Sequence, residues 1–128
     1  MKLQAEISVG ELIDKITILE IKLDQIGDRA KRAHVAHEYA ALNAALPYRV
    51  GADDAVRLLR GELKAVNAEL WRIEDNIRSH ERTRNFGAEF VDLARAVYRV
   101  NDRRAAFKRQ INEHTQSDIV EEKSYEAY

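Results

Sequence analysis

The chain has 128 residues, 45% hydrophobic and 34% charged, with a net charge of −1, one proline, five glycines and no cysteine. That balance describes a helix-rich folded chain, a single domain over 1–128, rather than a disordered one. The missing cysteine excludes disulfides, thiol catalysis and cysteine-held zinc, and the near-zero charge supplies no field to draw in nucleic acid or an anionic membrane.

Residues 2–7 alternate Leu3, Ala5 and Ile7 with Lys2, Gln4 and Glu6, which reads as a short extended segment. The opening MKLQAEIS lacks a signal-peptide core, and no apolar run approaches the ~20 residues of a membrane span, so the expected location is cytoplasmic. Ser8 stands three residues before Glu11 and forms the Ser-x-x-Glu of a capping box. The first helix is therefore predicted over 9–26, with a seam of Val9, Leu12, Ile16, Leu19, Leu23 and Ile26. Ile13, Ile18 and Ile21 widen that seam, so neighbours are expected on more than one side. Gly27 is expected to end the helix in a left-handed conformation.

Asp28 caps a second predicted helix over 29–46, rich in alanine and stopped by Pro47. Residues 47–53 read as a loop, and Asp53 or Asp54 caps the third helix, predicted over 54–82. Its positions Val56, Leu59, Leu63, Val66, Leu70, Ile73 and Ile77 step by 3 and 4, an unbroken heptad seam. After a break at 85–87, a fourth helix is predicted over 88–114 on Phe90, Leu93, Val97, Val100, Phe107 and Ile111. The expected fold is all-α: an antiparallel bundle of two long and two shorter helices, with residues 115–128 docked as a tail. At 1.5 Å per residue the long helices reach roughly 42 Å and the short ones roughly 27 Å. About a third of the long hairpin's apolar stripe is left uncovered, and a homodimer is expected to cover it.

Arg104 falls where the heptad calls for a core residue, so its charge needs a partner or a path to water. Glu74, Asp75 and Asp102 are the candidate partners. One reading is a structural ion pair that fixes helix register. The other is an anion pocket between the long helices, using the bidentate reach of arginine. The candidate ligand-binding set is Trp71, Glu74, Asp75, Arg78, Arg95, Tyr98, Asn101, Asp102, Arg104 and Lys108. Arg78, Arg82 and Arg84 crowd the end of the third helix, where the dipole favours cations. That patch is too small to read as a nucleic-acid site.

No metal or cofactor is expected. His34, His37 and Glu38 share one helical turn, but His-x-x-His is common on solvated faces, and the Glu-x-x-His of di-metal bundles is absent. There is no Gly-x-Ser-x-Gly and no Gly-rich phosphate loop.

Three stretches together carry a resemblance: SVGELIDKITILEIKLDQI at 8–26, LWRIEDNIRSHERTRNFGAEFVDLARAVYRVNDRRAAFKRQIN at 70–112, and SDIVEEKSY at 117–125. The chain resembles a family of uncharacterised short bacterial proteins, each little more than this domain. The resemblance implies no activity. It implies that Asp14, Lys15, Glu20, Lys22, Trp71, Glu74, Asp75, Arg95, Tyr98, Asn101, Asp102 and Lys108 belong to the motifs, together with Glu121, Glu122, Lys123 and Tyr125. The tail is too polar for a core. It is expected to fold back as a lid, with Glu121 or Glu122 on arginines of the last helix and Tyr125 over the cleft. The function expected first is a non-enzymatic scaffold, a homodimer whose grooves take a protein partner or a small anionic ligand. The alternative is a small helical enzyme or anionic-metabolite binder that uses an Arg/Glu/Tyr layer between the long helices.

Overall fold

A computed structural model describes all of residues 1–128. It contains five helices and no strand: α1 (Val9–Gln25), α2 (Arg29–Ala45), α3 (Tyr48–Gly51), α4 (Asp54–Arg82) and α5 (Ala88–Thr115). The expected all-α bundle is the observed one. Residues 1–7 pair with nothing and lie exposed, because no neighbouring strand exists to take up their backbone groups. The expected loop at 47–53 contains α3, a single helical turn after Pro47.

Local chemistry sets the helix starts. The Ser8, Asp28 and Asp53 side chains accept from the backbone N–H of Glu11 (3.0 Å), Lys31 (2.8 Å) and Val56 (3.0 Å). The capping box at Ser8 is only half formed. Glu11 turns away to Lys108, and Ser8 Oγ itself donates to Glu121 Oε1 at 2.6 Å.

The helix ends differ from expectation. No glycine has positive φ, so Gly27 is not left-handed. The chain leaves α1 through an extended Ile26, and the Arg32 guanidinium donates to the carbonyls of Leu23 and Ile26. A side chain supplies what a left-handed residue would have supplied. Left-handed backbone falls instead on Arg84, in the turn between the long helices, and on Gln116, just past α5.

α4 and α5 form an antiparallel hairpin. Its register is marked by Arg103 with Glu69 at 3.2 Å and by His114 with Asp53 at 3.0 Å. α1 crosses that hairpin from α5 to α4. Gly10 N–H donates to Asn112 Oδ1 on α5 at 2.7 Å, whereas Glu20 meets Arg60 and Lys64 on α4 at 3.1 and 3.3 Å. The outer side of α1 carries α2. Eight of the 17 residues of α1 are buried, which makes it the centre of the fold. Ile13 joins Val56, Leu63 and Ile111 in one core cluster; Val66, Ile73 and Val100 form a second. Full burial of such a side chain contributes about 1.5–3 kcal/mol.

The crossing needs Gly10. A Cβ there would stand 2.5 Å from the Lys108 carbonyl oxygen, so α1 and α5 touch backbone to backbone.

Beyond the crossing no helix covers the hairpin. No residue from Glu74 to Arg99 is buried. Ile77, Phe90, Leu93 and Val97 are half-buried on this projecting end, and Phe86, Val91 and Tyr98 are exposed.

Candidate functional site

The densest polar chemistry lies where α1 crosses α5 and α4. Asp14 faces inward from α1 and is fully buried. Its carboxylate accepts from Arg104 Nε at 2.9 Å and Nη2 at 2.5 Å, a bidentate pair, and from Asn67 Nδ2 at 2.9 Å. Asn67 also donates to Thr17 Oγ1 at 3.0 Å, and Thr17 donates to the Asp14 carbonyl at 2.8 Å. No buried side-chain polar atom lacks a partner. Three helices are thus joined by one closed network. The bond to Asp14 raises the pKa of Arg104, outweighing the opposing effect of burial.

Arg104 therefore pairs with Asp14, not with Glu74, Asp75 or Asp102. The register explains the difference. Arg103 stands opposite Glu69, so Glu74 and Asp75 lie more than a turn further toward the hairpin tip. They are exposed there, and Glu74 pairs along its own helix with Arg78. Trp71 is half-buried on α4 and Arg95 is exposed on α5. The polar layer is centred on α1, which joins Asn67 of α4 to Arg104 of α5, and it extends along α5 to the tail rather than bridging the long helices directly.

The other half of the candidate set does converge. Tyr98, Asn101, Asp102, Arg104 and Lys108 line one open groove of about 490 Å³ along α5, and Lys123 and Tyr125 of the tail form its other wall. Lys108 Nζ is held by Glu11 Oε2 at 2.5 Å. Asp102 accepts from Lys123 at 2.9 Å and from the Tyr128 hydroxyl at 2.6 Å. The Tyr128 hydroxyl and the Lys123 ammonium hold Asp102 below the usual carboxylate range, and Asp102 in turn raises Tyr128.

The tail runs back along α5. Glu122 takes Arg109 with both oxygens, at 3.0 and 3.2 Å, which lowers the pKa of Glu122. Val9 N–H donates to Ser117 Oγ at 3.1 Å, and the rings of Tyr98 and Tyr128 meet edge to face at 5.0 Å.

Sequence reasoning did not join Asp14 to Arg104, it read Ser8 only as a helix cap, and it passed over Gly10, Thr17 and Asn112. One signal was present. Asp14 and Thr17 are polar residues set among Ile13, Ile16 and Ile18, on a helix apolar on more than one side. A buried acid in that setting needs a cation.

Asp102 and Glu122, the carboxylates of this region with shifted pKa values, both move down. No group of three or more metal-ligating side chains comes together. No helix is long and apolar enough to cross a membrane. No curated protein and no solved structure matches the chain. A family model matches residues 1–128 from end to end, and the chain belongs to that family, DUF6165, a family of unknown function.

Proposed function

We propose that the protein is a non-enzymatic interaction protein that works as a homodimer, joined through the projecting end of the α4–α5 hairpin. The observation that carries this reading is the run from Glu74 to Arg99 without a buried residue, on two helices that both keep an apolar stripe. Two helices cannot bury such stripes on each other alone. A second copy, turned about a two-fold axis, places Ile77, Phe90, Leu93 and Val97 of each chain against those of the other and closes a four-helix bundle. Arg104, Lys108 and Arg109 are held in place by carboxylates, which favours a holding role over a reacting one. With no cysteine to protect, a cytoplasmic setting suits this chain.

Sedimentation equilibrium over a wide dilution series tests the reading. The expected mass is twice the 14.7 kDa of the chain. Phe90→Glu should halve it with helicity retained. A wild-type chain that stays monomeric throughout, or a Phe90→Glu variant that remains dimeric, would overturn the proposal.

A further inference from the structure

Apart from Val97 at its edge, the groove between α5 and the tail has a lining that the dimer does not use. Its cations are Arg104, Lys108 and Lys123, and its one acid is Asp102. Asp102 is occupied by Lys123 and Tyr128. The carboxylates that hold Arg104 and Lys108, Asp14 and Glu11, stand behind them on α1 and are not part of the wall.

Arg104 is thus fixed rather than quenched. Asp14 takes Nε and Nη2, while Nη1 has only Asn101 Oδ1 at 3.4 Å, long for a hydrogen bond. Lys108 gives one donor to Glu11 and has three, and its side chain is 19% open. Tyr98 and Tyr125 add aromatic surface to the same walls, and the Tyr125 ring already receives the Lys123 ammonium at 5.4 Å. The volume of about 490 Å³ falls in the range of small-molecule sites.

We propose that this groove binds a small organic anion bearing a planar ring, its charged end on Arg104 Nη1, Lys108 and Lys123 and its ring against Tyr98 and Tyr125. A phosphorylated nucleoside and an aromatic carboxylate share that chemistry. The tail then serves as one wall of the site rather than as a solvated end, which gives its Glu-Glu-Lys-Ser-Tyr segment a task. The proposal does not depend on dimerisation, because the groove is formed within one chain.

Isothermal titration of the full chain tests it with three probes: adenosine monophosphate, 4-hydroxybenzoate and inorganic phosphate. At least one ring-bearing anion should bind, more tightly than phosphate, and the one that binds identifies the source. Lys123→Gln and Tyr125→Ala leave the buried network intact. Lys123→Gln removes a charged hydrogen-bond donor and should weaken binding about tenfold. Tyr125→Ala should weaken it several-fold. Lys64→Gln, on the far side of α1, should change nothing. The absence of binding by both ring-bearing anions would overturn the proposal. So would phosphate binding as tightly as either of them, or full affinity in the Lys123 and Tyr125 variants. The oligomeric mass is measured on the same samples, so failure of the groove and failure of the dimer are read separately.

Discussion

Replacing Asp14 by alanine should be among the costliest single changes in this protein. The substitution removes the only carboxylate on Arg104 and one of the two acceptors of Asn67. Breaking a buried ion pair from one side costs about 3–5 kcal/mol, because the remaining charge is left without a partner. The Arg104 side chain is 28% open, so part of its charge can reach water, and the expected loss sits at about 3 kcal/mol. In urea, with a slope of about 2 kcal/mol per M, the unfolding midpoint followed by circular dichroism should fall by about 1.5 M. Asp14→Asn keeps the volume but turns an amide donor toward donors, so it should cost nearly as much. The double variant Asp14→Ala with Arg104→Met removes both charges and should be less destabilised than Asp14→Ala alone. A loss below about 1 kcal/mol for Asp14→Ala, or no recovery in the double variant, would refute the account of a buried pair that holds α1 on the hairpin.

Gly10→Ala forces a methyl group against the Lys108 carbonyl and should destabilise by about 2 kcal/mol, measured in the same urea titration. His80 ties the end of α4 to the start of α5. The Asn76 carbonyl, and then Glu89, raise its pKa above the usual 6.5. Its protonated form is therefore favoured by folding, and its stabilisation is full below about pH 6.5 and lost as pH rises through the raised value. Melting temperature between pH 6 and pH 8.5 should fall more for the wild type than for His80→Gln. The tail is held by exposed ion pairs, Arg109 with Glu122 and Lys123 with Asp102. At about 1 M salt, where screening acts within about 3 Å, trypsin should cut after Lys123 faster than at low salt, and Arg109→Gln should show that faster cutting at low salt already.

The helix starts were legible because their causes are local. A capping side chain and its backbone donor lie three residues apart at Ser8, Asp28 and Asp53, so each start is written in adjacent sequence. The helix ends were less legible. The stop after α1 uses the Arg32 side chain from the next helix instead of a left-handed Gly27, and the left-handed residue of the hairpin turn is Arg84. The partner of Arg104 was not legible for a different reason. Asp14 lies 90 residues away, and only the crossing of α1 over the hairpin brings the two together. Periodicity reports which face of a helix is apolar; it does not report which helix that face meets, or at what angle. The docking of the tail was legible in outline, since its acids called for cations, and Glu122 found Arg109.

The crossing of α1 also sets an order of assembly. The helical pairs α1–α2 and α4–α5 each join neighbours in sequence, so each can close over a short connection. The bonds that unite them span long stretches of chain, from Asp14 to Asn67 and to Arg104 and from Glu11 to Lys108. During synthesis α1 emerges first; its α4 partners Val56, Leu63 and Asn67 follow, and the cluster around Ile13 and the Asp14 network stay incomplete until most of α5, with Arg104 and Ile111, has been made. Local pairs form quickly, whereas the long closure carries its entropy before any contact repays it. The fold should therefore form as two hairpins that dock in a late step, with the Asp14 network as the fastener. Substitutions in that network should hasten unfolding while leaving the early collapse of each hairpin unchanged.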